Sequence, residues 1–302
     1  MLTDIIVIGA GTAGLTAAIY GQRAGKQVLL LEEGIYGGQI VNSPQIENYP
    51  GISQISGFQF AMNLHEQATA LGARLETGKA VEIIEHDNEK IVRTENEEYH
   101  CGAVILATGA KNRKLGLEKE DALIGRGISY CAACDGAFYK GRVAAVVGGG
   151  NTALGDAEYL ANFCKQVYLI HRRDAFRGDA GQVERLKDRE NVTLVLNSVV
   201  SELIAGQRLE QIQVQDVVTQ EEQQLSVDGL FVAVGQVPEN QAFAGLVELD
   251  SQGYIKAGED CRTSAEGVYA AGDCRTKNIR QLTTAAADGA VAALAACEYV
   301  SQ

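Results

Sequence analysis

The chain has 302 residues, 46% of them hydrophobic and 22% charged, with only three prolines, so it can build two globular domains and has no need of a disordered tail. A formal net charge of −13 excludes nucleic acid and an anionic membrane as main partners, because phosphate surfaces demand clustered Lys and Arg. Seven cysteines without a framework of spacings predict a reducing compartment, and Met1 to Ile8 lacks the basic start and long apolar core of a signal peptide; both predict a cytoplasmic protein.

Asp4 to Ile8 is a β-type run that ends in Gly9-Ala10-Gly11-Thr12-Ala13-Gly14, and Leu15, Ala18, Ile19 and Gln22 follow at helical spacing. A strand, a glycine turn and a helix in that order predict a dinucleotide site, where Gly9, Gly11 and Gly14 let backbone amides approach a pyrophosphate. A second β-type run, Gln27 to Leu31, ends at Glu32-Glu33, where a carboxylate suits ribose hydroxyls. The segment Gly34 to Gly57 carries Gly37-Gly38-Gln39, Asn42-Ser43-Pro44 and Glu47-Asn48-Tyr49-Pro50-Gly51, and so long a loop inside a domain is usually functional. Helical periodicity resumes from Phe58 to Leu71. Short β-type runs then fill Arg74 to His100, and apolar Ala103 to Ala107 closes into Thr108-Gly109.

Mid-chain stands Ser129-Tyr130-Cys131-Ala132-Ala133-Cys134-Asp135-Gly136. Two cysteines three apart can close a small disulfide ring, and at a helix start the dipole favours the attacking thiolate. Asp135 is placed to take or give the proton that the ring's opening and closing moves. The pair therefore reads as a redox switch. The competing readings are half of a zinc site or two buried thiols, but a structural zinc wants a second close pair, and Cys101, Cys164, Cys261, Cys274 and Cys297 stand alone.

The first pattern then starts again. Arg142 to Val147 predicts a strand, Gly148-Gly149-Gly150-Asn151-Thr152-Ala153 a glycine turn, Leu154 to Phe163 a helix and Gln166 to Ile170 the next strand, ending in His171-Arg172-Arg173-Asp174-Ala175-Phe176-Arg177. From the first glycine, 32 − 9 and 171 − 148 both give 23, so Glu32 and this basic cluster hold equivalent places. A carboxylate there suits FAD or NAD; arginines suit the 2′-phosphate of NADPH. Gly229 to Gly235 echoes Ala103 to Gly109, and Pro238 with Glu239-Asn240 marks a linker. Gly267 to Asp273 predicts a strand ending in an acid. Arg280 precedes a helix from Gln281 to Tyr299 whose Asp288 and Glu298 make it a packed helix rather than a membrane span. With no glycine motif of its own, the C-terminal part completes the first domain, and the second domain is an insertion.

In order and over essentially the whole chain, Cys-Ala-Ala-Cys-Asp-Gly-Ala-Phe-Tyr-Lys-Gly, Gly-Gly-Gly-Asn-Thr-Ala, His-Arg-Arg-Asp-x-Phe-Arg and Tyr-Ala-Ala-Gly-Asp followed by Arg-Gln resemble the low-molecular-weight thioredoxin reductases, a class of pyridine nucleotide-disulfide oxidoreductases. The resemblance implies an α/β fold of two Rossmann-like nucleotide-binding domains: FAD-binding parts at 1–110 and 240–302, and an inserted NADPH-binding domain at 111–239 carrying the cysteine pair. It also implies a homodimer, and thioredoxin or a thioredoxin-like protein as substrate. Gly9, Gly11 and Gly14 would hold the FAD pyrophosphate. Glu32, Glu33, Gly38 and Gln39, with Asn48 of the long loop, would line the FAD site, Asp273 would meet the ribityl chain, and Arg280 and Gln281 the flavin ring. Gly148, Gly150, Asn151, Thr152 and Ala153 would take the NADPH pyrophosphate, and His171, Arg172, Arg173 and Arg177 the 2′-phosphate end. Cys134 would face the flavin, Cys131 would attack the substrate and Asp135 would carry the proton. One flavin serving both sites of the inserted domain implies rotation on hinges near 110–115 and 236–240.

The chain departs from the family at Gly155-Asp156, where two glutamates are usual, at Gly178-Asp179 and at Asn42-Ser43-Pro44. A glycine inside a helix costs about 1 kcal/mol relative to alanine and would loosen the nicotinamide side. Relatives fed by ferredoxin, or oxidising small dithiols, share the fold and the pair but tend to lose the arginine cluster. A non-catalytic redox sensor would not need a flavin beside the cysteines.

Overall fold

The structure, a computed structural model, describes residues 3–43, 45–86 and 89–302. Met1 and Leu2 of the N-terminal stretch and Pro44 of the Asn42 to Pro44 loop lie outside them. The chain forms two compact units, Met1–Lys111 with Val237–Gln302, and Asn112–Gln236.

Unit 1 opens with β1 (Thr3–Ile8), α1 (Thr12–Arg23) and β2 (Val28–Glu32). The long loop carries one 3-10 turn (Gly38–Asn42) before α2 (Gly57–Ala70), β3 (Arg74–Thr77), β4 (Ala80–His86), β5 (Glu89–Thr94), β6 (Glu98–Leu106) and β7 (Ala110–Asn112), the last crossing to the other unit. Unit 2 holds α3 (Glu120–Leu123), β8 (Ile128–Ser129), α4 (Ala132–Asp135), β9 (Val143–Val147), α5 (Asn151–Leu160), β10 (Gln166–Ile170), α6 (Ala180–Lys187), β11 (Val192–Val195), β12 (Ser198–Ala205), β13 (Leu209–Asp216), β14 (Glu222–Ser226) and β15 (Gly229–Val232). The chain returns along β16 (Gln236–Pro238), which pairs with β7, and ends in β17 (Val268–Ala270) and α7 (Leu282–Tyr299).

In unit 1 a seven-stranded sheet runs β3-β2-β1-β6-β5-β4 with β17 also on β6; β1, β2, β3, β6 and β17 pair in parallel, and β4 and β5 antiparallel. Because side chains alternate along a strand, Ile5, Val7, Leu30 and Ile105 pack on one face with α1 and α7, and Ile6, Ile8, Leu29, Leu31 and Leu106 on the other. Strands buried on both faces read as continuous apolar runs, which is how Ile5 to Ile8 and Val28 to Leu31 look in sequence. Unit 2 repeats the plan in a parallel sheet, β11-β10-β9-β15-β8, with an antiparallel β12-β13-β14 sheet beside it in sequence. Parallel strands leave the carboxyl ends of β1 and β9 on the side where their glycine turns sit, the usual place for a nucleotide.

Two expectations need correction. Asn240 is no linker residue. It is buried in unit 1, where its amide donates to the carbonyls of Gly253 (2.9 Å) and Cys274 (2.8 Å) and its carbonyl accepts from Thr108 Oγ1 (2.9 Å). The acid-ended strand is short: β17 stops at Ala270, and Asp273 sits on a separate 3-10 turn (Gly272–Cys274).

Candidate active site

The two glycine turns are built alike. A Cβ on Gly9 would lie 2.4 Å from the carbonyl oxygen of Ala107, and one on Gly148 2.4 Å from that of Ala233, so each turn is pressed against the end of a neighbouring strand. Gly9 also has φ +102°, open only to glycine. By contrast, a Cβ on Gly11 would meet nothing closer than 4.0 Å and one on Gly150 nothing at all. Both are N-caps without a side-chain capping bond, so no capping side chain satisfies the first amides of α1 and α5. Amides in that state fit a pyrophosphate.

The position 23 residues on meets the second residue of the glycine turn in both units, by different contacts. Glu32 Oε2 accepts from the amide of Ala10 (2.8 Å), and the buried ring of His171 lies directly against Gly149, where a Cβ would fall 2.0 Å from the imidazole. Ala10 and Gly149 are each the second residue of their turn. His171 therefore packs inward. Its Nε2 is buried without a hydrogen-bond partner, and burial, ahead of the nearby arginines, holds its pKa below the ordinary value. Arg172, Arg173 and Arg177 are exposed, and none has an ion-pair partner among the described residues. The backbone of Arg177 donates to the Gly149 carbonyl (2.7 Å), and Asn151 Oδ1 accepts from the Asp179 amide (2.8 Å), which ties this basic loop to the glycine turn. Thr152 is exposed and Ala153 buried at the start of α5.

In unit 1, Gly37 N–H donates to Ala10 O (2.7 Å), and Gly38 lies against Gly11, so the long loop borders the first turn. Gln39 donates to the Ala110 carbonyl, and exposed Glu33 pairs with Lys79 (3.1 Å) and Lys111 (3.5 Å), with Lys79 the main cause of its lowered pKa. Asn48 donates to Gln281 (3.3 Å), which caps α7. Arg280 lies 4.2 Å over the Tyr254 ring and reaches the Asp273 carbonyl (3.4 Å). Asp273 Oδ1 is buried with no hydrogen-bond partner, and burial pushes that carboxyl's pKa up. A lone buried acceptor of this kind fits a ligand hydroxyl, as the ribityl chain of FAD would offer.

Cys131 and Cys134 are joined in a disulfide. The helix that they open is a single turn, too short for a large dipole. The structure supplies a specific donor instead, the Cys134 amide, 3.2 Å from Cys131 Sγ. Asp135 follows with one oxygen, Oδ2, accepting from Ser129 Oγ (2.6 Å) and the other buried and unpartnered; burial raises its pKa, against the Ser129 bond that lowers it. The other five cysteines are buried. Burial pushes Cys101 and Cys261 up to about 12, and Cys164 and Cys274 up to about 11, so they stay thiols. Among the described residues no group of three or more His, Cys, Asp or Glu is placed to hold a metal, and no helix is long and apolar enough to cross a membrane.

Sequence reasoning left three features unassigned. Ser129 stood inside the central stretch, yet spacing carries no sign of its bond to Asp135. Buried Glu120 accepts from the amides of Leu115 (2.9 Å), Gly116 (2.8 Å) and Leu117 (3.3 Å) and from Tyr130 Oη (2.8 Å). Asp288 on α7 accepts from Gly272 N (2.9 Å), Arg275 Nε and Nη2 (both 2.9 Å) and Lys277 Nζ (2.7 Å) beneath the Asp273 turn. An acid in the middle of the alanine-rich α7 was the one available hint.

Residues 3–289 match the family model described as pyridine nucleotide-disulphide oxidoreductase. The chain is 40% identical over 300 residues to a thioredoxin reductase of Bacillus subtilis, covering 99% of this chain and 95% of that one. It is 41% identical to one of Listeria innocua, again over 300 residues, with 99% and 94% covered. A crystal structure of a thioredoxin reductase from Streptococcus pyogenes, 38% identical, superposes with a TM-score of 0.95 over 99% of this chain and 98% of that one.

Proposed function

Because this chain belongs to the pyridine nucleotide-disulphide oxidoreductase family, we propose that it is a cytoplasmic thioredoxin reductase, passing electrons from NADPH through FAD and the Cys131–Cys134 disulfide to thioredoxin or a thioredoxin-like protein. Residues 1–110 and 240–302 form the FAD domain and 111–239 the NADPH domain. The observation that carries the reading is a disulfide with a half-buried acid beside it, one of whose oxygens is buried and unpartnered, in a unit whose own nucleotide turn is flanked by arginines without an ion-pair partner among the described residues.

In the first domain the uncapped amides after Gly11 take the pyrophosphate, Glu32 the ribose, and Asp273 Oδ1 a ribityl hydroxyl; Asn48, Arg280 and Gln281 border the ring site. FAD supplies a carrier that accepts two electrons from a nicotinamide and releases them to a disulfide. In the second domain Gly150 offers its amides to NADPH, and Arg172, Arg173 and Arg177 hold the 2′-phosphate, which guanidinium groups grip bidentately. Cys131 attacks the substrate disulfide, Cys134 closes on Cys131 to release it, and Asp135 moves the proton. Since the dithiol and the NADPH turn share one domain, they reach the flavin in alternation, through movement near 110–115 and 236–240. The active form is a homodimer, which the resemblance supports and sedimentation tests.

The intact arginine cluster favours NADPH over a ferredoxin donor. The test is turnover with thioredoxin under NADPH and under NADH, against glutathione and small dithiols. Flavin that neither nucleotide bleaches would remove the reading.

A further inference from the structure

Ser129 lies 4% exposed at the end of β8, and its hydroxyl touches three polar groups of the dithiol segment. It accepts from the Cys131 amide (3.1 Å) and lies 2.6 Å from Asp135 Oδ2 and 3.3 Å from the Cys131 carbonyl. A hydroxyl has one hydrogen and two lone pairs, so it cannot donate to both oxygens at once. When Asp135 is ionised, the hydrogen goes to the 2.6 Å carboxylate, the stronger charge-assisted bond. A neutral Asp135 can donate from Oδ2 to Ser129, whose hydrogen then turns to the Cys131 carbonyl. Both charge states of the acid are hydrogen-bonded through the same oxygen, while Oδ1 stays without a partner.

We infer that Ser129 is the positioning residue for Asp135, a hydroxyl rotor that follows the acid's proton and links it to the backbone of Cys131. The inference rests on the dithiol exchange proposed above, in which charges balance as follows. Two electrons, which a bound pyridine nucleotide would supply by way of the flavin with the hydride's proton passing to solvent, break the Cys131–Cys134 bond, and one proton from Asp135 leaves a Cys131 thiolate, a Cys134 thiol and an Asp135 carboxylate. The thiolate attacks a substrate disulfide and expels one substrate thiolate. Asp135 then takes back the Cys134 proton, Cys134 sulfur attacks Cys131 sulfur, and the second substrate thiolate leaves; both expelled thiolates draw their protons from solvent. In each cycle Asp135 loses and regains one proton, and Ser129 turns once each way.

Other groups that titrate near Asp135 are few. Tyr139, on the 3-10 turn Gly136–Tyr139, is buried and feels the Asp135 charge together with Arg208, Arg142 and Asp228. The neighbouring α5 carries Asp156, Glu158 and Tyr159; Glu158 is held by Arg185 (2.9 Å), whereas Asp156 is pushed by burial up to about 7. Tyr130, on the other side of Ser129, donates to Glu120. Asp156, and in the other unit Asp273, whose carboxyl burial also raises, are the groups that can confuse a titration of Asp135.

The test follows the protonated-carboxyl band of Asp135 by infrared titration of the FAD-loaded, oxidised protein, assigned by its loss in Asp135→Asn. Ser129→Ala is expected to raise the midpoint by about one pH unit, because the charge-assisted bond that the ionised form loses is stronger than the neutral bond that the protonated form loses. Ser129→Thr, which restores a hydroxyl, should return it toward the starting value, and Asp156→Asn should leave it unchanged. In the unmodified protein the Cys131 amide resonance should titrate with the same midpoint, a readout that needs no folded variant. An unmoved midpoint in Ser129→Ala, or a flat Cys131 amide where that variant does not fold, overturns the inference. Both readouts are independent of thioredoxin turnover, so failure here and failure of the proposed function are separate results.

Discussion

Asp288→Asn tests how the FAD-side turn is held. The native carboxylate has 8% of its side chain exposed and faces Arg275 and Lys277, at 3% and 7%, while it also fixes the Gly272 amide that begins the Asp273 turn. Removing one partner's charge leaves two buried cations facing a neutral amide, and breaking a buried pair this way costs about 3–5 kcal/mol. At roughly 3 °C per kcal/mol for a unit of this size, the melting temperature should fall by roughly 10 °C. Because the same carboxylate positions the turn, FAD should also dissociate faster on dilution, read by recovery of flavin fluorescence. Burial works to raise the Asp288 pKa, but Arg275 and Lys277 outweigh it and hold it below the ordinary value. Its stabilisation is therefore complete above the unfolded carboxylate pKa near about 4 and is lost as pH falls through the lower folded value. Calorimetry of both proteins should give a constant gap from about pH 8 down to about 5 and a narrowing one below about 4. A gap under about 2 °C at neutral pH would refute the reasoning, as would one that widens in acid.

The remaining predictions address the other unit and the dithiol. Arg172→Ala with Arg173→Ala should raise the KM for NADPH by about 10- to 100-fold, the loss expected for charge-assisted bonds, and leave that for NADH within about twofold; equal losses for both nucleotides would count against a 2′-phosphate site. Gly155 sits inside α5, where an added Cβ would meet nothing nearer than Gln182 Nε2 at 3.8 Å, so Gly155→Ala should stabilise unit 2 by about 0.5–1 kcal/mol, and a lower melting temperature would contradict this. Glu120→Gln keeps the shape of the residue but weakens bonds to three amides and Tyr130, and should destabilise unit 2 by about 1–3 kcal/mol in urea titration; no change would show that these bonds are dispensable.

What could be read from the sequence was what backbone geometry enforces. Gly9 and Gly148 must avoid a strand carbonyl, and Cys131 and Cys134 stand where a short ring closes, so residue type alone declares them. The matched spacing of Glu32 and His171 was equally plain, but not its meaning. Equivalent places can hold a carboxylate that grips an amide or a ring that packs beneath it, and only the fold separates them. Asn240 reads as linker chemistry beside a proline, yet its amide satisfies carbonyls 13 and 34 residues away. Asp288 with Arg275 and Lys277, and Ser129 with Asp135, depend on side-chain directions that hydrophobic periodicity does not encode. The boundaries show the same limit: contacts divide the units after Lys111 and after Gln236, close to the composition changes but set by packing.

The central claim is that electrons from the nucleotide reach a substrate through Cys131 and Cys134. It is tested most directly by alkylating the FAD-loaded protein under anaerobic conditions before NADPH, after NADPH and after a further addition of oxidised thioredoxin, then mapping the label by mass spectrometry. The account predicts that both cysteines are unlabelled at first, labelled after NADPH and protected again after thioredoxin. If the pair stays oxidised under NADPH while thioredoxin is nevertheless reduced, the account is contradicted.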